Sequence, residues 1–511
     1  MTVDHKTPVI LGAGQFTEFI DAHFEGLRPE AMAAHACERA IEDTGSGKDV
    51  RKLIDTIACV RLFAHSVPDE FRQVVAPFGS SESPPLSIIA RLGIPEAQAI
   101  YSRACGDEPQ RLVYELGEAV ATGAIRAGLI CGAEAIATQR HFQRSGQPAD
   151  WSEKCSGVTD DRGMCTDFTY EQQLNRHGAY APVDIYPLLE QARRLSAGLT
   201  SEEYCWHMAD LMSRFSEVAA RNPHSMFRDK FNRENIATKT DRNRMIGDPH
   251  LKSMVAKDGV NQAAALVITS LGVAKSLNVS DRAIFLRGHA EEVELPVLER
   301  PSLDKSPAMQ EAYRSAIQCA GVTVEDIMAF DLYSCFPIAV FAALESLGLR
   351  YDDSRPFTLT GGLPYFGGAG NNYSTHGIAE MLNLLRKQRE PSFGLVGANG
   401  GFLSKHAVGV YSNAPGDFPV LSSHNIRNTD AVKVEDQPSG SSTVESYTIR
   451  KRGDKLRIVV VGRLEQNNSR WVGIVDPSDE VVRDWFLEGD PLGARVMVRA
   501  EEKNIVGLVP G

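Results

Sequence analysis

Two segments of the chain decide its fold: ACERAIEDTGSGKDVRKLIDTIAC at residues 36–59 and AYRSAIQCAGVTVEDIMAFDLYSC at residues 312–335. An offset of 276 residues aligns them without a gap. The offset pairs Ala40, Ile41, Gly45, Asp55 and Cys59 with Ala316, Ile317, Gly321, Asp331 and Cys335. Each segment predicts a helix, a glycine stop and a short apolar strand. The repeat therefore predicts a duplicated α/β unit, and two unrelated βα units are the alternative.

Strands and helices also alternate outside the repeat in the first half of the chain. The pattern predicts strands at Val9–Gly12, Leu53–Val60 and Ala127–Cys131, and helices at Pro29–Asp43 and Gln110–Thr122. Alternation of this kind predicts βαβ units and a mixed sheet that helices cover on both faces.

Composition divides the remaining chain into further domains. Residues 140–257 are polar and irregular, which is typical of a functional lid or binding loop, and Ser201–Ala220 within them predicts an amphipathic helix. After residue 412 the sequence changes to short runs in which apolar and polar residues alternate. These runs predict a small antiparallel β domain, for which a barrel is one arrangement. We expect an N-terminal half at 1–139 completed by about 258–280, a loop insertion at 140–257, a C-terminal half at 281–412 and a β domain at 417–511.

Charge and cysteine content exclude several classes of protein. The net charge of the 511 residues is -12, which argues against nucleic acid or an anionic membrane as the main partner. The nine cysteines are scattered and form no CxxC pair, so we expect free thiols in a cytoplasmic protein and no metal site. No apolar run reaches the length of a membrane span.

Four corner segments, three of them containing glycine, are the motifs that could carry chemistry. They are Tyr101–Gln110 (YSRACGDEPQ), Asp331–Phe336 (DLYSCF), Gly370–Gly377 (GNNYSTHG) and Gly397–Gly401 (GANGG). Together with the repeat and the insertion, these corners resemble the thiolase superfamily over about residues 8–412, especially its sterol-carrier-protein-like branch. The last segment is similar to the additional C-terminal domain of thiolase-like proteins. The resemblance implies an α/β fold, namely a duplicated five-layer αβαβα thiolase fold with an inserted loop domain and a small C-terminal β domain.

The resemblance also implies roles for residues at the corners. It implies an acyl-CoA acyltransferase of the acetyl-CoA C-acyltransferase class, in which a cysteine at a helix N-terminus carries the acyl group. Cys105 is the candidate nucleophile, although the family register places that residue on Gly106, and Cys105 is otherwise a small buried side chain. Tyr333 stands where the family has an Asn or His, and Asn371 stands where it has the catalytic His.

The fourth corner departs furthest from the family pattern. It contains no second cysteine, and Asn399, Gly400 and Gly106 are left as candidate contacts to a thioester oxygen. His376 lies five residues beyond Asn371 and is a candidate base or a structural histidine. The catalytic set is therefore atypical, and we expect it to be weak.

Coenzyme A or an acyl-CoA is the ligand that the resemblance implies, as a substrate and not as a bound cofactor. Basic residues between Arg221 and Lys252 are candidate contacts for its phosphates, or form a solvated surface. We expect a monomer or homodimer with a role in lipid metabolism. The alternative is a protein that binds CoA thioesters without Claisen or thiolysis activity.

Overall fold

The computed structural model describes residues 4–165, 171–421, 430–453 and 455–508. Its strands are β1 (Pro8–Thr17), β2 (Ile54–Cys59), β3 (Gln98–Tyr101), β4 (Ala127–Ala135), β5 (Thr159–Asp161), β6 (Met245–Gly247), β7 (His250–Leu251), β8 (Asn261–Ser270), β9 (Phe285–Val293), β10 (Ile327–Leu332), β11 (Phe393–Gly400), β12 (Lys405–Ser412), β13 (Gly440–Arg452), β14 (Lys455–Leu464), β15 (Arg470–Val475), β16 (Arg495–Arg499) and β17 (Ile505–Leu508). Its α-helices are α1 (Pro29–Asp43), α2 (Gly47–Arg51), α3 (Asp69–Val75), α4 (Pro84–Leu92), α5 (Glu108–Thr122), α6 (Ile136–Ser145), α7 (Gln172–Arg176), α8 (Pro182–Ala197), α9 (Ser201–Arg221), α10 (Arg233–Ala237), α11 (Leu271–Ser276), α12 (Pro307–Ala320), α13 (Pro337–Ser346), α14 (Tyr373–Leu385) and α15 (Glu480–Glu488).

Two sheets with the same internal order form the core. The first has the order β1-β8-β4-β2-β3-β5, and the second has the order β9-β12-β11-β10. In each sheet the first two neighbouring pairs are antiparallel and the third pair is parallel. The second sheet therefore repeats the first four strands of the first sheet, as the duplicated fold requires.

Helices fill three layers around the two sheets. Helices α5 and α14 lie between the sheets, where Leu112 and Leu382 share one apolar cluster with Leu266 of β8 and Val396 of β11. Helix α1 covers the outer face of the first sheet, and helices α12 and α13 cover the outer face of the second. Successive strand residues point to opposite faces, so the apolar runs of β8 and β11 serve two layers at once. The five-layer αβαβα prediction is confirmed.

A glycine contact recurs in the two halves at the offset that the sequence predicts. A Cβ placed on Gly12 of β1 would lie 2.0 Å from the carbonyl oxygen of Ala40 on α1. A Cβ on Gly288 of β9 would lie 2.0 Å from the carbonyl oxygen of Ala316 on α12. Gly288 follows Gly12 by 276 residues, and Ala316 follows Ala40 by the same number. Only glycine allows strand and helix to approach so closely.

The same offset is wrong for the strands that follow. Strand β2 begins at Ile54, nine residues after Gly45. Strand β10 begins at Ile327, only six residues after Gly321. The short helix α2 fills the longer connection in the first half. The matches of Asp55 with Asp331 and of Cys59 with Cys335 are therefore not structural equivalences, and Cys335 lies beyond the end of β10.

The C-terminal strands form a closed barrel in the order β13-β14-β15-β17-β16. Buried side chains attach it to the rest of the molecule. Arg470 is fully buried, and its guanidinium pairs with Glu445 and donates to the carbonyls of Leu298 and Arg300. Arg194 of α8 forms a 2.7 Å ion pair with Asp490. The barrel thus shares its buried polar contacts with both the inserted region and the second half.

No helix in the described ranges is both long and apolar enough to cross a membrane. The nine cysteines are all free thiols, and Cys319 alone among them is classed as exposed.

Candidate functional site

The four corner segments converge on Gly106. A Cβ placed there would lie 2.5 Å from the carbonyl oxygen of Asn399 and 2.8 Å from the hydroxyl oxygen of Tyr333. The hydroxyl of Ser374, in the first turn of α14, is 3.5 Å from the Gly106 carbonyl oxygen. The first, second, third and fourth corners are therefore in direct contact, and no side chain larger than hydrogen fits at Gly106.

Strand and helix ends explain this convergence. Gly106 lies between the end of β3 and the start of α5, where Pro109 occupies the first turn. Tyr333 follows the last residue of β10, and Asn399 is the penultimate residue of β11. In α/β folds the carboxyl ends of parallel strands form the usual site for ligands, because loops and helix N-termini meet there.

Three buried groups beside this corner form one hydrogen-bonded cluster. The ammonium of Lys405, the first residue of β12, donates to the sulfur of Cys165, and the Cys165 and Cys105 side chains are close enough for each to shift the pKa of the other. All three side chains are buried. A Cβ on Gly400 would lie 2.2 Å from the Cys105 sulfur, so this cluster adjoins the fourth corner.

The two thiols of the cluster have opposite charge preferences. The hydrogen bond from Cys105, and then the one from Lys405, lower the pKa of Cys165 to about 6 against the opposing effect of burial. The hydrogen bond to Cys165, together with burial, raises the pKa of Cys105 well above its usual range. Burial lowers the pKa of Lys405, but its contacts with Cys165 leave it above its ordinary value. At neutral pH the cluster is therefore a Cys165 thiolate, a Cys105 thiol and a Lys405 ammonium.

Among the described residues, two buried oxygen atoms at the site have no hydrogen-bond partner. They are Oδ1 of Asp107, 2.5 Å from a Cβ placed on Gly400, and Oδ1 of Asn399. The Asn399 amide nitrogen donates to the hydroxyl of Tyr186, which α8 brings in from the inserted region. Buried polar atoms without partners are uncommon in proteins and are typical of sites that contact a ligand.

Tyr333 and Cys335 form the floor of the site. Both remain half-buried, and Ala256 of the inserted region packs beside them and donates its amide to the Cys335 carbonyl at 2.9 Å. Burial raises the pKa of the Tyr333 hydroxyl well above its usual range, so the phenol is neutral and can donate a hydrogen bond.

The other candidate side chains lie outside this cluster. The amide of Asn371 donates to the Arg61 carbonyl at 2.8 Å and to the Ser66 hydroxyl at 2.9 Å. His376 is fully buried, and its Nδ1 lies 2.7 Å from Oε1 of Gln15 on β1. Burial lowers its pKa well below the usual range, so its imidazole is neutral. In the described structure, the hydrogen bonds of these two side chains go to Arg61, Ser66 and Gln15 and not to the two cysteines.

His406 follows Lys405 on β12 and points to the opposite face of the strand. Its Nε2 lies 3.2 Å from the hydroxyl of Ser306, and burial lowers its pKa to about 3. His406 is therefore a neutral buried histidine that cannot exchange a proton with Cys165 on the other face of β12.

A cleft of about 970 Å³ lies between the inserted region and the first half, and is called here the inner cleft. Its cationic lining residues are Arg140, Arg144, Arg242, Lys252 and Lys257, and its carboxylates are Asp229, Glu234 and Asp258. Of the basic residues between Arg221 and Lys252, the structure places Arg242 and Lys252 in this lining. Ala256 lines the cleft and donates its amide to the Cys335 carbonyl, so the cleft adjoins the second corner.

Cys165, Lys405, Asp107 and Tyr186 were not predicted as site residues from the sequence. Cys165 lies in the polar insertion, and its only signal was the presence of a cysteine there. Lys405 precedes His406 at the start of a strand, where a cation is ordinarily exposed. Their meeting depends on the path of the insertion, which no local pattern records. The described part of the chain has no cluster of side chains suited to a metal ion.

Comparisons with known proteins agree with this architecture. Residues 423–503 match the family model described as thiolase-like protein type 1 additional C-terminal domain. The crystal structure of a monomeric SCP2-thiolase-like protein type 1 from Mycobacterium smegmatis is 34% identical over 99% of this chain and 100% of that chain, with a TM-score of 0.82. A search of curated proteins finds no match.

Two enzymes share the fold at low sequence identity. The dimeric peroxisomal thiolase of Saccharomyces cerevisiae is 12% identical over 80% of this chain and 98% of its own, with a TM-score of 0.56. An acetyl-CoA acetyltransferase from Syntrophomonas wolfei is 15% identical over 80% of this chain and 99% of its own, with a TM-score of 0.55.

Proposed function

Because the chain belongs to the SCP2-thiolase-like proteins of type 1, we propose that it binds a coenzyme A thioester and transfers the acyl group to a cysteine thiolate, without Claisen condensation or thiolysis. The observation that carries this proposal is the buried cluster of Cys105, Cys165 and Lys405 beside the converging corners. A thiolate is the nucleophile that a thioester acceptor needs. The proposal places that nucleophile on Cys165 and makes Cys105 its hydrogen-bond donor.

The transfer step follows from the charges of the cluster. The Cys165 sulfur forms a bond to the thioester carbonyl carbon, and the bond from that carbon to the CoA sulfur breaks. Acylation removes the negative charge of Cys165, so the buried Lys405 ammonium loses this anion and becomes a stronger acid. Lys405 then protonates the departing CoA thiolate. We assign the amides of Gly106 and Gly400 to the developing oxyanion.

The inner cleft is the place that we propose for the nucleotide of CoA. Its cations can contact phosphates, and the Lys257 ammonium lies 4.8 Å from the centre of the Phe227 ring, which leaves an aromatic surface beside the charges. Calorimetric titration with CoA is expected to give a heat that Arg242→Ala and Lys252→Ala each reduce. The exposed Lys239, outside the cleft lining, provides the matched Lys239→Ala control. No heat with the unaltered protein would contradict this placement.

Acylation itself is tested with acetyl-CoA and peptide mapping by mass spectrometry. We expect an acetyl group on Cys165 that Cys165→Ser abolishes, since the weakly acidic serine hydroxyl cannot replace the thiolate. Cys105→Ser is expected to slow acylation. Cys319→Ser is expected to leave it unchanged and controls for chemical acetylation, because Cys319 is exposed. Acetyl on Cys105 alone would move the nucleophile to that residue.

The second candidate function is binding of a CoA thioester without chemistry. It is favoured by the engagement of Asn371 in two structural hydrogen bonds and by the neutral, distant His376. CoA binding without acetyl on either cysteine would select this function over the acyl transfer.

A further inference from the structure

A second cleft, here called the barrel cleft, has a volume of about 1210 Å³ and lies where Tyr180 and Ala181 meet the C-terminal barrel. Among the described residues, its charged lining side chains are Arg450, Arg452, Lys455, Arg457, Arg483 and Lys503. They are all cationic, although the whole chain carries a net charge of -12. The barrel cleft is separate from the site described above, and an inference about it does not depend on the proposed function.

Four of these cations form two like-charged pairs across the β13–β14 hairpin. Arg450 is directly opposite Arg457, and Arg452 is directly opposite Lys455. Alternation along each strand places all four side chains on one face. Like charges directly opposite each other destabilise an antiparallel pair of strands. This arrangement therefore costs stability in the free protein and is relieved by a bound anion.

Internal partners satisfy only part of the positive charge. Arg450 pairs with Asp184, and the guanidinium of Arg457 donates to the Gly178 carbonyl. Within the described ranges no carboxylate forms an ion pair with Arg452, Lys455 or Lys503. These three charges are available to a ligand.

The rest of the lining is apolar. The ring of Tyr180 is 60% exposed, and Leu456, Ile474 and Pro477 retain accessible surface. Among the described residues, the only neutral polar group in the lining is the Tyr180 hydroxyl, so the barrel cleft presents cationic donors but few hydrogen-bond acceptors to a sugar or a nucleobase. The ligand that matches cations over an apolar floor has an anionic group and a hydrocarbon chain.

We propose that the barrel cleft binds a single-chain anionic amphiphile, with its alkyl chain along Tyr180, Leu456 and Ile474 and its carboxylate or phosphate among Arg452, Lys455 and Lys503. The ion pair of Arg450 with Asp184 of the inserted region holds one side of the hairpin in place. The cations reaching the head group are those without internal carboxylate partners.

The test titrates the full chain with dodecyl phosphate and dodecanoate, both below their critical micelle concentrations. We expect saturable binding of at least one, and the tighter of the two identifies the head group. Arg452→Ala with Lys455→Ala is expected to weaken that binding at least tenfold. Lys451→Ala removes an exposed cation from the same strand but from its other face, and is expected to change affinity less than twofold.

Three further probes test which chemical class of ligand the barrel cleft binds. A neutral dodecyl maltoside and inorganic phosphate are each expected to bind at least tenfold more weakly, because each presents only one of the two surfaces. Equal affinity for either would overturn the proposal. So would equal weakening by Lys451→Ala, or binding to vesicles of anionic phospholipid without binding to the monomeric amphiphiles. Thermal unfolding of each variant establishes that it is folded.

Discussion

Lys405→Met provides the most direct test of the cysteine cluster. In the unaltered protein the hydrogen bonds from Cys105 and Lys405 lower the pKa of Cys165 to about 6, from an ordinary value of 9.0. The substitution keeps a long apolar side chain at residue 405 but removes the ammonium. The pKa of Cys165 must then rise, and we take a return to its ordinary 9.0 as the full rise, with the remaining effect of Cys105 offsetting that of burial.

The size of the effect depends on pH in a way that identifies its cause. At pH 6 the thiolate fraction falls from about one half to about one thousandth if the pKa rises fully, a loss of roughly 500-fold. The more basic thiolate is intrinsically more reactive by roughly 15- to 30-fold for a Brønsted coefficient of about 0.4–0.5. The net loss is at most about 15- to 30-fold at pH 6 and vanishes near pH 8, where the variant reacts at least as fast.

The assay is alkylation by iodoacetamide, measured on the Cys165 peptide by mass spectrometry between pH 5 and pH 9. The exposed Cys319 in the same digest is the internal reference. Lys275→Met, at an exposed lysine on α11, controls for loss of one positive charge. Reactivity of Cys165 in the unaltered protein that rises only above pH 8, or an unchanged profile in Lys405→Met, would refute the assignment of the thiolate.

Three other predictions follow from different parts of the molecule. Thiolysis of acetoacetyl-CoA is expected to be negligible, because the resemblance to thiolases implies that Asn371 stands at the position of the catalytic histidine, and general acid–base groups contribute about 10²- to 10⁴-fold each. Turnover at an ordinary rate of about 1 to 10³ per second would contradict this. Burial raises the pKa of Glu134 to about 8, so the stability that its protonation supplies is complete below about pH 4.5 and is lost as pH rises through 8. Glu134→Gln cannot ionise, so it is expected to be increasingly more stable than the unaltered protein as pH rises. Urea unfolding between pH 5 and pH 9 should show the difference in the free energy of unfolding between variant and unaltered protein growing to at most roughly 5 kcal/mol. A difference that does not change with pH would contradict this prediction. Lys455→Glu is expected to raise the free energy of unfolding by about 0.2–1 kcal/mol, since it replaces a like-charged cross-strand pair with Arg452 by an opposite one; an equal gain from Lys451→Glu would show a general charge effect instead.

Much of the core was predictable because its signals are local. Helix α1 has the predicted bounds, and the glycine stops at Gly45 and Gly321 are both in the left-handed region. The gap-free alignment was wrong beyond those glycines because a repeat can tolerate a longer connection, here α2, without altering its packing. The helix predicted at Ser201–Ala220 is also present and extends to Arg221. Its N-cap is Thr200, whose hydroxyl accepts from the Glu203 amide.

The site was predictable only in part, for a physical reason. Residues at the ends of strands and the starts of helices share one edge of the fold, so Gly106, Tyr333 and Asn399 could be expected together. Cys165 and Lys405 are 240 residues apart in sequence and meet through an irregular segment. The periodicity of a sequence does not predict the course of an irregular segment. It also does not predict that the Lys405 ammonium is buried because it pairs with the Cys165 thiolate.

The fully buried Arg470 has a consequence for how the C-terminal barrel can be studied. Its guanidinium donates from the barrel to two carbonyls of the second half, and cutting the chain between them would leave these N–H groups and carbonyls without hydrogen-bond partners, although the ion pair with Glu445 stays within the barrel. A barrel expressed alone would expose that surface and tend to aggregate, and a truncated core would lose the same contacts. Loss of activity after domain deletion would then report unfolding rather than a catalytic role, so point substitutions in the barrel cleft are the informative experiments.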